Sequence, residues 1–424
     1  MNAALNSANS ANPAVDRATR TRPHVIEPVR TRRAARFQVH IATALKTLAN
    51  TFLAALRRML WPGPRPLAPA RVCIYKIGNL GDIACAIPAI HAIRRMFPAA
   101  HLTLVTSPGR RGMPGAADLL RGVGWLDEIL AYHSEDIAGP RARLRWVAAM
   151  RARRFDAWIE LPAVDAPLAM LARNMIAARI AGARWGFGWR YERIRIFARA
   201  QSELLEFPNE TTRLVRLLAA GGFTVPAPEN PSEDFPLEIS AAERAAVDRI
   251  LAAEGIANTP LAALAPGAKA PANRWPAARF IEVGRELAAR GFRIVVIGSA
   301  QEAVLCGEIA AAIGSDARSL AGKTSVRESC EVLRRCALLV CNDSGVQHLA
   351  APAGTPCVSI FSSRDFRGKW FPTGARNVTL RKWVPCHTCF LDRCPYDNRC
   401  VALVTAAEAL AAATGILDSA ADSR

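Results

Sequence analysis

Residues 71–98, RVCIYKIGNLGDIACAIPAIHAIRRMFP, constrain the fold more than any other stretch. A β-branched run, Val72 to Tyr75, leads through a loop holding Gly78 and Gly81 into a segment whose apolar residues fall at helical spacing. Strand, glycine loop and helix in that order predict the first unit of a doubly wound parallel sheet. Strand-like runs follow at 101–107, 126–132, 155–161 and 184–188, with helical segments between several of them, and the unit closes near Gly222. Residues 223–240, FTVPAPENPSEDFPLEIS, hold four prolines and little periodicity, as a linker should. The pattern then restarts, with helices expected at 241–254, 277–290, 302–313 and 345–353 and strands at 260–267, 293–299, 337–343 and 356–361. A last helix, 405–414, is short enough either to cap the second unit or to cross back onto the first. The expectation is α/β: two Rossmann-like domains, 71–222 and 241–424, with strand carboxyl ends facing a central cleft.

A chain of 424 residues suits two cores better than one. Its net charge of +19 raises the question of nucleic acid, and the distribution answers it. Residues 1–70 carry eleven Lys and Arg against Asp16 and Glu27, a net of +9, so about half the excess lies in a sixth of the chain. The remainder is scattered over helix faces such as 141–154, without the aromatic interleaving of a single-strand groove. No nucleic-acid partner is expected. The polar start, 1–14, lacks an apolar h-region, and eleven cysteines in a long chain do not make a secreted disulfide scaffold, so a cytoplasmic, reducing location is expected.

Residues 1–35 read as a disordered basic arm and 36–70 as an amphipathic helix followed by a proline-rich linker. Phe37, Ile41, Leu45, Leu48, Phe52, Leu56 and Met59/Leu60 recur every three or four residues, while His40, Lys46, Asn50, Arg57 and Arg58 interrupt the segment too often for a bilayer span. Two placements stay open: against the folded body, or in the headgroup region of an anionic inner-membrane leaflet, which the arginines favour.

Three segments carry the chemistry. Asp82 follows the Gly78–Gly81 loop at the start of a helix, where a carboxylate either caps the helix or accepts a proton from an attacking hydroxyl. The loop at 265–276, APGAKAPANRWP, brings Lys269 and Arg274 to a phosphate-sized turn but matches neither the Walker nor the dinucleotide glycine pattern. In NDSGVQHLAAPAGTPCVSIF, from 342 to 361, Asp343 ends a strand, Ser344 and Gly345 open a helix whose free N–H groups face the cleft, and His348 lies on its first turn. Lys269, Arg274, His348 and that helix start are read as holding a departing diphosphate, with Asp82 as base. No D-x-D metal site stands out.

These segments, with VVIGSAQE and LAGKTSVRES, resemble glycosyltransferase family 9, the heptosyltransferases, over roughly residues 71–403. The resemblance implies a GT-B fold with a nucleotide-diphosphate sugar, ADP-heptose first, held by the C-terminal domain, and a lipid-linked glycan acceptor in the N-terminal one. It implies transfer to the lipopolysaccharide inner core with inversion and no required metal or cofactor. It assigns the base to Asp82, the diphosphate motif to Asp343, Ser344, Gly345 and His348, and an acid of the nucleotide site to Glu302. The family's loop lysine falls on Asn273, a departure that keeps alive a non-catalytic nucleotide-sugar or anionic-glycan binding protein.

Cys386, Cys389, Cys394 and Cys400 stand at C-x2-C-x4-C-x5-C, a spacing unlike zinc ribbons and fingers. The cluster is read as structural, with zinc the less favoured alternative. Cys73, Cys85, Cys306, Cys330, Cys336, Cys341 and Cys357 read as core. Residues 184–195, RWGFGWRYERIR, fit either a core strand with a solvated edge or a surface for an acidic glycan.

Overall fold

The structure is a computed structural model that describes residues 29–192, 207–223, 235–374 and 376–421. Helix α1 (Val29–Leu60) precedes a first domain of β1 (Arg71–Ile77), α2 (Leu80–Met96), β2 (His101–Ser107), α3 (Ala116–Leu120), β3 (Glu128–Ala131), α4 (Pro140–Ala152), β4 (Ala157–Glu160), α5 (Leu168–Ile180), β5 (Gly186–Phe187) and α6 (Glu210–Ala220). The second domain opens with α7 (Ala241–Ala253), β6 (Leu261–Ala265), α8 (Ala277–Ala289), β7 (Arg293–Val296), α9 (Ala303–Ile313), β8 (Ala317–Ser319) and α10 (Val326–Arg334). It ends with β9 (Cys336–Asn342), α11 (Gly345–Ala353), β10 (Cys357–Phe361), β11 (Val378–Arg381), α12 (Arg399–Ala402) and α13 (Ala406–Ala421).

The strand pairs are parallel, in the orders β3-β2-β1-β4-β5 and β11-β10-β9-β6-β7-β8. Strand order reverses between β1 and β4 in one sheet and between β6 and β9 in the other. Ligands of doubly wound sheets bind at the carboxyl ends of such switch points. Along β1, Val72 and Ile74 join the core under α2 while Cys73 joins the cluster under α5, the period-2 alternation of a strand covered on both faces. One apolar cluster crosses both domains, from Val72 and Leu104 through Leu119 and Leu214 to Leu261, Val332 and Leu349. The domains meet where α2 packs on α11 and α3 on α10. Arg327 of α10 crosses this seam, donating to the Leu119 carbonyl at 2.9 Å.

Several expectations change in detail. Helix α1 begins at Val29, so the last residues of the expected disordered arm are helical, while residues 1–28 lie outside the described residues. The linker is packed where it is described: Phe235, Leu237 and Ile239 are buried, and Trp125 Nε1 donates to the Pro236 carbonyl at 2.8 Å. The last helix, α13, caps the second domain against α8, β9 and β10. Strands β8 and β11 and helix α10 were not foreseen. In the segment after 184, Trp185 and Trp189 are buried, so its aromatic part is core; residues 193–195 lie outside the described residues.

Both faces of α1 matter. Its inner side is fixed to α5 and the loop after β5: Trp61 stacks on Trp189 with centroids 5.3 Å apart, and its Nε1 donates to the Ala183 carbonyl at 2.8 Å. Arg57 Nε donates to the Gly186 carbonyl at 2.8 Å, and Asn50 bonds Tyr191 in both directions. Among the described residues no helix is long and apolar enough to cross a membrane.

Candidate active site

The first switch point presents the Gly78–Asp82 turn. Asp82 Oδ2 accepts from the Asn79 N–H at 2.9 Å, so the carboxylate does cap α2. A cap accounts for one lone pair, and the carboxylate stays half-buried rather than sealed. Burial lifts its pKa above the ordinary carboxylate value, against Lys76 and the Asn79 N–H, which lower it, and with Glu210, which adds to it. Gly78 is required sterically: an added Cβ would lie 2.4 Å from Asp82 Cβ and 2.8 Å from Oδ2. Gly78→Ala is therefore expected to shift the carboxylate and lower turnover by roughly 10²-fold with donor affinity unchanged, as steady-state kinetics and calorimetry together would read.

The second switch point is built by Asn342. Its buried amide donates to the Pro266 carbonyl at 2.6 Å and accepts from the Trp275 N–H at 3.0 Å, stapling the 266–275 loop to the end of β9. Beside it Asn273 donates to the Asp343 carbonyl at 3.1 Å and to Oδ2 at 3.2 Å, and accepts from Ser362 Oγ at 2.6 Å. Asn273 thus fills its position with hydrogen bonds from an uncharged amide. Burial, and then the Asp365 charge, push the Asp343 carboxyl up to about 7. Lys269 and Arg274 project from this loop into solvent, with Arg274 Nε on the Ala268 carbonyl at 3.1 Å. Glu302 accepts from the Ser299 N–H and hydroxyl, both at 2.8 Å, and lies so close over Gly267 that a Cβ there would meet its Oε1 at 1.9 Å.

The two switch points touch. An added Cβ on Gly81 would lie 3.0 Å from His348 Cδ2 and 3.4 Å from Gly345 Cα. Two glycines on facing turns thereby bring the Asp82 loop against the N-terminus of α11, where the buried Ser344 Oγ has no protein partner and the first N–H groups are unpaired by the helix. His348 turns into this seam, with Nδ1 3.2 Å from Cys85 Sγ and Nε2 3.2 Å from Gln347 Nε2. Burial pulls its imidazole down to about 4, so the ring is neutral. Its position suits anchoring α11 to α2 more than carrying charge to a phosphate.

Charged groups that sequence reasoning did not single out surround the site. Lys76 on β1 is fully buried and lies 3.4 Å from Glu210 Oε1. Arg213 clamps Glu210 with two bonds of 2.7 Å, reaches Glu192 Oε2 at 2.6 Å and donates to the Pro162 carbonyl at 2.6 Å. Lys369, 5 % exposed, spans the seam to Asp165 Oδ2 at 3.0 Å and reaches Asp365 Oδ2 at 3.3 Å. Its charge lowers the pKa of both Asp82 and Asp343, so it is a buried cation between the two half-sites. The cysteine-rich segment clasps the basic loop from outside: Asn398 Nδ2 donates to the Pro271 carbonyl at 2.7 Å, and the Ala272 N–H donates to the Asp392 carbonyl at 3.0 Å. Among the described residues no three His, Cys, Asp or Glu side chains are gathered as a metal would need, the four clustered cysteines included.

The profile of glycosyltransferase family 9 (heptosyltransferase) matches residues 143–399. Lipopolysaccharide heptosyltransferase 2 of Salmonella typhimurium is 37% identical over 114 residues, 25% of this chain and 33% of that one. Lipooligosaccharide heptosyltransferase 2 of Haemophilus ducreyi is 29% identical over 188 residues, 42% of this chain and 53% of that one. The chain spans about a third of the length of the first curated relatives it matches. Among solved structures, a family 9 glycosyl transferase from Veillonella parvula superposes with a TM-score of 0.68 at 18% identity, over 84% of this chain and 100% of that one. Escherichia coli ADP-heptose lps heptosyltransferase II superposes at 0.58 and 21%, over 82% and 99%. A further E. coli heptosyltransferase, solved with ADP-2-deoxy-2-fluoro heptose, gives 0.55 and 17%, over 80% and 97%. At these identities the structures establish the shared two-domain fold.

Proposed function

This chain belongs to glycosyltransferase family 9, the heptosyltransferases, and we propose that it transfers a heptose or related sugar from a nucleotide diphosphate sugar, with ADP-heptose the first candidate, to a lipopolysaccharide core or other lipid-linked surface glycan at the cytosolic membrane face. The observation that supports this reading most is the close approach of Gly81 to Gly345 and His348, which brings the loop carrying Asp82 up to the start of α11. Asp82 takes the proton of the acceptor hydroxyl as its oxygen attacks the anomeric carbon, and the bond to the diphosphate breaks on the opposite face, inverting that centre. The N–H groups at Ser344–Gly345 and the dipole of α11 meet the charge developing on the leaving diphosphate. Lys269 and Arg274 add positive charge from the exposed loop, so the reaction is read as needing no metal. Asp343 orders that loop through Asn273, Glu302 borders the nucleotide side and His348 holds α11 in place.

Calorimetry with ADP-heptose, UDP-glucose, GDP-mannose and ADP tests the donor half. One sugar nucleotide is expected to bind more tightly than the others, with ADP-heptose leading; no binding by any at millimolar concentration would sink the donor assignment. The neutral Asn273, in place of the lysine that the family resemblance puts there, favours a second reading, a sugar-nucleotide binding protein without turnover. Donor binding with no sugar transfer in a single-turnover assay would select it.

A further inference from the structure

Helix α1 has two apolar lines, and the protein covers only one. Ala42, Ala49 and Leu53 are buried on the body, whereas Phe37, Ile41, Leu45, Leu48, Phe52 and Met59 are exposed, Leu48 by 67 % and Met59 by 72 %. At 100° per residue these six fall within an arc of about 80°. That outward stripe is too narrow and regular to be scattered surface apolarity. The neighbouring α5 adds exposed Ile176 and Ile180, and Arg179 Nε ties it to the Leu60 carbonyl at 3.1 Å. The sequence of α1 contains seven Lys and Arg and no acidic residue.

We infer that α1 is an in-plane anchor that seats the N-terminal domain on an anionic phospholipid surface. Charge complementarity selects this occupant: a second copy would bring an equally basic helix against this one, whereas the net positive charge of α1 is attracted to anionic headgroups and the acyl boundary takes the stripe. The contacts of Trp61, Arg57 and Asn50 keep the helix flat on the domain, so it lies along the surface. The same contacts tie it to the loop after β5, from which Glu192, Arg213 and Glu210 lead towards Asp82. For the acceptor the inference rests on the transferase reading, since a lipid-linked glycan and the site then share one surface.

The test floats the full chain with vesicles of phosphatidylcholine, with and without phosphatidylglycerol, and compares Leu45→Ser/Leu48→Ser/Phe52→Ser and the milder Leu48→Asp. Wild type is expected to float only with the anionic vesicles and less so at high salt, and the triple variant to lose about tenfold or more in partitioning. Equal flotation of wild type and variants, or wild type remaining in solution with anionic vesicles, would overturn the inference. So would a wild-type dimer in light scattering that the triple variant converts to monomer, which assigns the stripe to a second copy. Donor binding without lipid, measured on the same samples, reports on the transferase reading separately.

Discussion

Asp82→Asn is expected to lower the rate of sugar transfer by about 10²–10⁴-fold, the usual contribution of a positioned general base, while sparing donor affinity. The asparagine keeps the size of the side chain and can still accept from the Asn79 N–H at the helix start, so a folding defect would not explain the loss. Only the ability to take a proton is removed. The pH dependence gives a second reading of the same group. Burial raises the Asp82 pKa, and the ionised form is the working one. Transfer should therefore rise with pH through an apparent pKa above the ordinary carboxylate value and fall away below it. A kcat profile with its acidic limb in the ordinary carboxylate range, or an Asn variant with near wild-type turnover, would remove Asp82 from the chemistry.

The largest stability effect is expected from Arg213→Ala. Arg213 and Glu210 are almost wholly buried, and removing the guanidinium leaves Glu210 with only the longer contact to Lys76 and strips Glu192 and the Pro162 carbonyl of a donor. Breaking one side of a buried pair costs about 3–5 kcal/mol, because the remaining charge is stranded. Urea unfolding should show the midpoint fall with an unchanged m-value, and Glu210→Gln added to Arg213→Ala should recover part of the loss. The sign with pH follows from Glu210. Burial pushes its pKa up, but Arg213 and Lys76 outweigh that and hold it below the ordinary glutamate value. A depressed carboxylate contributes stability above its unfolded pKa and loses it as pH falls through the folded one. The gap between wild type and Arg213→Ala should therefore narrow in acid and stay full at neutral pH.

Much of the architecture is legible locally because its signals are local. The β1–α2 unit declares itself by a change of period from two to 3.6 across Gly78 and Gly81, and α11 runs over the expected residues. Helix α10 carries a start signal in its sequence: Ser325 and Glu328 form a capping box, with the Ser325 N–H donating to Glu328 Oε2 at 2.7 Å. Strands β8 and β11, three and four residues at sheet ends, are too short for alternation to register. At the site, Asp82, Ser344 and Gly345 sit where glycine loops and strand ends placed them. Lys76 and Glu210 did not stand out, since they are 134 residues apart and neither belongs to a motif. Lys369 was hidden for the same reason: its partner Asp165 lies 204 residues away on the other domain. Long-range charge pairing leaves no periodic trace in a sequence.

The single apolar cluster that runs through both domains limits how the protein can breathe. Swinging the halves wide apart would expose Leu119, Val332, Leu349 and their neighbours to water at about 25 cal/mol per Å² of apolar area. A small shear at the seam, with the shared core closed and His348 still holding α11 against α2, is cheaper than a gape. Gly81 leaves room for the His348 ring beside Gly345, so that ring and its contact with Cys85 set how far such a shear can run.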